Sequence, residues 1–289
     1  MAANKLANRN RPQVRDLRRA FPYDGSMRSG HSSGTLAVYY ELREPERMPD
    51  SPVLPTVLLI HGGGSTIESN WGNLIPELET GRRLLAVELQ GHGRTASGAR
   101  EPSFVNSADD VAALLDELGL GAVDVLGFSN GGQVAMQLAA RRPELVRRLI
   151  VASAPYRRDG MIDGFWPSLE SATFESMPQV YADADLAVSG DREHARRMFE
   201  LDRALMLGFS DWPDELPASI TARTLVIVGD RDVVTVDHAV RLREIIPGSA
   251  LLVVPGLHGQ YLGERLAAEG GLGSMRQTIP VLLGFLDAP

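Results

Sequence analysis

A chain of 289 residues can hold one large domain or two small ones, and it is long enough to bury a substantial core. Hydrophobic residues make up 44% and charged residues 23%, while a formal net charge of -8 argues against general binding to nucleic acid or to an anionic membrane. With no cysteine there is no disulfide, no thiolate zinc site and no cysteine nucleophile, which fits a reducing, cytoplasmic setting.

Residues 1–30 are basic and polar and lack the apolar segment of a secretory signal peptide. They are expected to form a mobile basic tail or a short surface helix. No later stretch reaches the length of a membrane-spanning helix. Apolar runs then recur in chain order: TLAVYYEL (35–42), TVLLI (56–60), RLLAVEL (83–89), AVDVLGF (122–128), RLIVASA (148–154), TLVIVGD (224–230) and ALLVVPG (250–256). Several are nearly continuous in Val, Ile and Leu, as parallel strands covered on both faces should be. Between them, 107–119 has apolar residues at 111, 114, 115 and 118 and ends on glycine, and 130–145 closes at Pro143. Both read as helices. Strand and helix alternating in this way predict a parallel α/β sheet with right-handed crossovers. Residues 156–220 break the alternation and carry many aromatics and methionines, among them Trp166, Phe174, Tyr181, Phe199, Phe209 and Trp212. The stretch is too long for a structureless loop and reads as a helical insertion with a core of its own.

Three glycine-rich turns carry the chemistry. GFSNGG (127–132) follows a buried strand and opens a helix, the setting of a G-x-S-x-G nucleophile elbow around Ser129. A sharp strand-to-helix turn strains the central residue and crowds the residues two before and two after, so glycine is needed at 127 and 131. The competing reading is a plain turn with Ser129 as a helix cap. HGGGS (61–65) lets the backbone approach a substrate closely, and no phosphate-binding signature such as GK[ST] follows it. GHGRT (91–95) brackets His92 with glycine.

HGGGS, GHGRT and GFSNGG in this order, with a helical stretch before TLVIVGD, resemble the α/β-hydrolase family from about residue 35 onward. The resemblance is to small cap-bearing carboxylic-ester hydrolases and their lactonase and C–C hydrolase relatives. It implies a mostly parallel central sheet of about eight strands flanked by helices. The core would be 31–155 and 221–289, and the helical cap 156–220.

A serine hydroxyl needs an imidazole base, and the base needs an orienting carboxylate. Of six histidines, His31 lies in the tail, His194 sits in a charged helix and reads as solvated, and His238 reads as surface. His61 and His92 are similar to family histidines with structural roles in loop hydrogen bonding. His258, in VVPGLHGQYL after the last strand, is left as the base. The resemblance favours Asp232 over Asp230 as the acid, and Asp230 suits turn chemistry. A family variant would place the acid near Asp159 or Asp163. The backbone N–H groups of Gly63 and Asn130 are the expected oxyanion donors. Phe165, Trp166 and Met161 are candidates for a substrate pocket, against plain packing within the cap.

The implied activity is hydrolysis of a small, apolar carboxylic ester or lactone through an acyl-enzyme on Ser129, with neither metal nor organic cofactor. Cleavage of C–C or amide bonds by the same triad is the rival within enzymes. A slow-turnover ligand receptor is the rival outside them. A haloalkane or epoxide hydrolase is disfavoured, because those relatives carry aspartate where this chain has Ser129.

Overall fold

The structure is a computed structural model that describes residues 26–45 and 54–288. A single sheet contains β1 (Ser26–His31), β2 (Tyr39–Glu44), β3 (Leu54–Ile60), β4 (Arg82–Val87), β5 (Val123–Phe128), β6 (Val146–Ala152), β7 (Arg223–Gly229) and β8 (Ala250–Val254). Their spatial order is β1-β2-β4-β3-β5-β6-β7-β8. The β1–β2 and β2–β4 pairs are antiparallel, and the five other pairs are parallel. Helices α1 (Ile67–Trp71) and α2 (Ile75–Leu78) follow β3, α3 (Phe104–Leu118) follows β4, and α4 (Asn130–Arg141) follows β5. Between β6 and β7 lie α5 (Phe165–Ser171), α6 (Gln179–Ser189), α7 (Arg192–Leu207) and α8 (Glu215–Ala218). Helix α9 (Val236–Ile245) precedes β8, and α10 (Gly273–Asp287) ends the described chain.

The expected tail falls outside the described residues up to residue 25. From Ser26 the chain is a strand, so the sheet starts before the boundary drawn at residue 30. His31 ends that strand, with Nε2 3.0 Å from the Arg94 carbonyl oxygen. Sequence reading missed β1 because SMRSGH has neither an apolar run nor a clean alternation. An antiparallel edge strand facing solvent does not need one.

The continuous apolar runs are explained by side-chain alternation in a sheet covered on both sides. Leu58 and Ile60 of β3, Leu85 and Val87 of β4, and Val226 and Val228 of β7 belong to one core, against α3, α4 and α9. Their neighbours Val57, Leu59, Leu84, Ala86, Leu225 and Ile227 belong to the other, against α1, α2 and α10. Helix α3 starts where Ser103 Oγ accepts the Asn106 N–H and stops at Gly119 in the left-handed conformation.

The insertion is helical, and among the described residues its only pairing with a strand-like segment is an isolated bridge from Met161 to Val234. Its apolar residues divide differently from the expectation. Phe174, Ala182 and Ala195 form a small core inside it, with Met177 and Phe199 against them. Met161, Met206 and Phe209 instead join the main core, and Phe209, Trp212 and Phe104 stack edge to face across the junction. The insertion's base is therefore continuous with the domain beneath. His194 is tied down rather than solvated: its Nδ1 lies 2.9 Å from the Asp185 carboxylate, which also accepts the Gly93 N–H at 3.2 Å.

His238 is likewise not at the surface. Its ring is 4% exposed, and its Nε2 accepts the Tyr156 N–H at 3.1 Å. Burial lowers its pKa to about 4. An imidazole held neutral in the fold supports stability above the unfolded value near 6.5, and that support is lost as pH falls from there to about 4. His238→Gln keeps an acceptor without a titration. Urea unfolding should show the wild type losing roughly 3 kcal/mol more than the variant between pH 7 and pH 4.

Candidate active site

Strand β5 ends at Phe128 and α4 begins at Asn130, leaving Ser129 at φ 54° and ψ -121°. The Ser129 N–H donates to the Ala152 carbonyl at 2.9 Å, and the Ser129 carbonyl accepts the Gly132 and Gln133 N–H groups. A Cβ on Gly127 would lie 2.3 Å from the Gly131 carbonyl oxygen, and one on Gly131 would lie 2.1 Å from that of Ile60. The crowding expected of the turn is present at both positions.

His258, in the loop after β8, brings Nε2 to 3.1 Å from Ser129 Oγ and Nδ1 to 2.6 Å from Asp232 Oδ1. These contacts assign the proton to Nδ1 and leave Nε2 to accept from the hydroxyl. Asp232, in the loop after β7, also accepts the Gly229 and Val234 N–H groups and the Ser153 hydroxyl. Burial alone would push its carboxyl up. The charge and hydrogen bond of His258, with donors from Ser153 and Val234, hold it below the ordinary carboxylate value. Asp230 accepts the Gly256 N–H at 2.8 Å, the turn role its position suggested. Asp159 is 60% exposed beside Arg157, and neither it nor Asp163 bonds His258.

The HGGGS loop is held from several directions. His61 Nε2 accepts the Leu89 N–H, so Nδ1 carries the proton and donates to the Gly62 carbonyl at 2.7 Å. That carbonyl shares a trans peptide with the Gly63 N–H, so fixing one aims the other in the opposite direction. The Gly62 N–H donates to Asn70 Oδ1 and the Gly64 N–H to Asp202 Oδ2. Among the described residues no acceptor meets the N–H of Gly63 or of Asn130. The two histidines of the loops, 4.8 Å apart, are driven in opposite directions. Burial, then the neighbouring His92, lowers His61 to about 3. Burial also opposes charge on His92, but the charge and hydrogen bond of Asp202 raise it above the ordinary value.

A cavity opens beside Gly63 and Asn130, with Leu89, Phe104, Val134, Leu201 and Leu205 as apolar wall and His92 and Asp202 as polar wall. Phe165, Trp166 and Met161 do not line it. Met161 is buried in the main core, and Trp166 stacks on Phe165, donates to the Arg158 carbonyl and lies under its guanidinium. Their early position in the insertion put them at its base, away from this cavity.

Sequence reading missed Ser153, Tyr261 and Asp202. The Tyr261 hydroxyl donates to Ser153 Oγ, which donates to Asp232, and both residues are buried. A serine just past the buried run of β6 was the available signal, with φ 49° in the structure. Asp202 stands between the buried Met198 and Met206, each four residues away on one face of α7, which was also legible. Among the described residues no cluster of three or more His, Asp or Glu side chains is arranged to hold a metal ion. No helix among them is long and apolar enough to cross a membrane.

An eight-stranded, mostly parallel sheet with a serine on a strained strand-to-helix turn defines an α/β-hydrolase architecture. The family model described as alpha/beta hydrolase fold matches residues 55–181, and the chain has the α/β-hydrolase fold. It is 31% identical over 202 residues to the dihydrolipoyllysine-residue acetyltransferase component of an acetoin cleaving system from Cupriavidus necator, covering 64% of this chain and 54% of that one. Over 112 residues it is 38% identical to a pimeloyl-[acyl-carrier protein] methyl ester esterase of Neisseria meningitidis, covering 39% of this chain and 40% of that one. The matches thus span about half of these relatives or less. The solved meta-cleavage product hydrolase from Pseudomonas fluorescens IP01 superposes with a TM-score of 0.67 at 21% identity, covering 90% and 97% of the two chains. At that identity the likeness concerns the fold. The family includes hydrolases that act on esters and others that act on carbon–carbon bonds.

Removing the Ser153 hydroxyl takes a donor from an ionised buried carboxylate and a partner from Tyr261. Ser153→Ala should cost about 1–3 kcal/mol in urea unfolding at pH 7. Because the two hydroxyls act in one chain, Ser153→Ala with Tyr261→Phe should cost less than the sum of the single changes.

Proposed function

We propose that the protein is a serine hydrolase that cleaves a small, apolar carboxylic ester or lactone through an acyl-enzyme on Ser129. The observation that carries this reading is the unbroken hydrogen-bond path from Ser129 Oγ through His258 to Asp232. Ser129 Oγ forms a bond to the carbonyl carbon as His258 Nε2 takes the hydroxyl proton, and the carbonyl electron pair moves onto oxygen. The N–H groups of Gly63 and Asn130 meet that oxyanion, aided by the positive end of α4. Collapse breaks the bond to the alcohol oxygen, which leaves with the proton from His258. Water then repeats the sequence and frees the acid. Asp232 stays ionised throughout and keeps the imidazole proton on Nδ1.

The apolar wall of the cavity supports an apolar acyl or alcohol group. Likeness to an esterase in sequence and to a meta-cleavage product hydrolase in fold makes C–C hydrolysis the second reading. The two differ in the bond broken, and the same serine serves both.

Ser129→Ala should lower kcat on p-nitrophenyl butyrate by at least about 1,000-fold and leave the melting temperature near that of the wild type. A fluorophosphonate should add one adduct to the wild type, localised at Ser129, and none to the variant. Comparing kcat/KM on that ester with kcat/KM on a vinylogous 1,5-diketone separates the two readings. An unchanged ester rate in the variant would exclude both.

A further inference from the structure

We propose that Asp202 is a positioning residue through which docking of the cap completes the oxyanion-binding geometry at Gly63. This rests on the acyl-enzyme reading and makes its oxyanion hole depend on the cap. Helix α7 brings the Asp202 carboxylate down onto the HGGGS loop, where Oδ2 accepts the Gly64 N–H at 2.6 Å and lies 3.0 Å from His92 Nε2. The same oxygen sits 3.2 Å from the place a Gly63 Cβ would occupy, so it packs directly against the loop.

Each contact holds a different peptide of the loop. The peptide joining Gly62 to Gly63 carries the free N–H, and the sheet domain fixes it through His61 on the Gly62 carbonyl. The next peptide, joining Gly63 to Gly64, has among the described residues only one strong tie, the Gly64 N–H to the cap; a 3.5 Å contact from Ser65 Oγ to the Gly63 carbonyl is marginal. With glycine at 62, 63 and 64, no side chain limits the rotations between the two peptides. A loop pinned on one side of Gly63 alone lets its N–H swing away from the oxyanion. The carboxylate, charged and short-bonded, supplies the second pin. A bare carboxylate so near a developing oxyanion would oppose it, and here Oδ2 is also hydrogen-bonded to His92 Nε2.

A tie that merely anchored the cap would lower stability and leave turnover by the folded protein unchanged. The full chain, Asp202→Asn and Asp202→Ala are compared by steady-state kinetics on p-nitrophenyl butyrate, rate of fluorophosphonate labelling and melting temperature. An asparagine amide oxygen can still accept the Gly64 N–H, and its NH2 can donate to a neutral His92. Asp202→Ala should lower kcat and labelling rate about 100-fold with KM within about threefold, and Asp202→Asn should recover to within about tenfold of the wild type. A labelled wild type with Asp202→Ala reacting equally fast overturns the positioning role alone, as does equal impairment of the two variants. A wild type that neither labels nor turns over overturns the acyl-enzyme reading and this one with it.

Discussion

Ser129 carries a side chain at φ 54°, a conformation that costs about 1–3 kcal/mol for a residue other than glycine and persists only where the surroundings over-determine it. Those surroundings are a sheet with both faces buried. β5 lies between β3 and β6, so the turn at its end is locked by the Ala152 carbonyl on one side and crowded by the Ile60 carbonyl on the other. Side chains at 127 or 131 would collide with backbone, which cannot retreat. The glycines permit the strain, and the two cores on either side of the sheet sustain it.

The same register decides what gathers around the hydroxyl. Strands β3, β5, β6, β7 and β8 run parallel, so the loops after all five open at one edge. They deliver Gly63, Ser129, Ser153, Asp232 and His258 in that order. A serine bracketed by glycines and a histidine after the last strand stood out in the sequence by their local setting, whereas Asp232 was favoured over Asp230 only by the family resemblance. Ser153 and Tyr261 went unread, because the place of Ser153 just past the run of β6 does not say which carboxylate, 79 residues away in sequence, it bonds. His238 and His194 misled for a related reason. Neighbouring charges in sequence suggested solvent, but Gly160 and Asp185 approach them from other elements. The strands of the core were read nearly to their ends, since burial on both faces writes itself as continuous Val, Ile and Leu. The edge strand β1 has no such constraint and passed unread.

His61 and His92 show how one glycine-rich edge supports two imidazoles in different states. His61 is enclosed by backbone donors and acceptors that suit a neutral ring, and burial with the neighbouring His92 reinforces that preference. His92 faces a carboxylate, which outweighs its burial. The His61 ring aims a peptide, and the His92 ring meets acceptors at both nitrogens, the Gln90 carbonyl and Asp202. Exchanging their environments would leave an uncompensated charge in the wall of the cavity, at a cost of several kcal/mol.

The helical insertion is held to the rest of the chain by two kinds of force, and they sit at different places. At its base, Met161, Met206 and Phe209 are part of the main core, where each buried apolar side chain contributes about 1.5–3 kcal/mol. Nearer its middle, Asp185 and Asp202 grip the backbones of Gly93 and Gly64 through single hydrogen bonds. Bonds to charged groups contribute about 1.5–3 kcal/mol each when made, and water can replace them one at a time. Releasing the polar grips is therefore a smaller step than withdrawing the apolar base. The polar contacts thus fall on the two glycine loops, at Gly93 and Gly64, and the apolar ones on the main core.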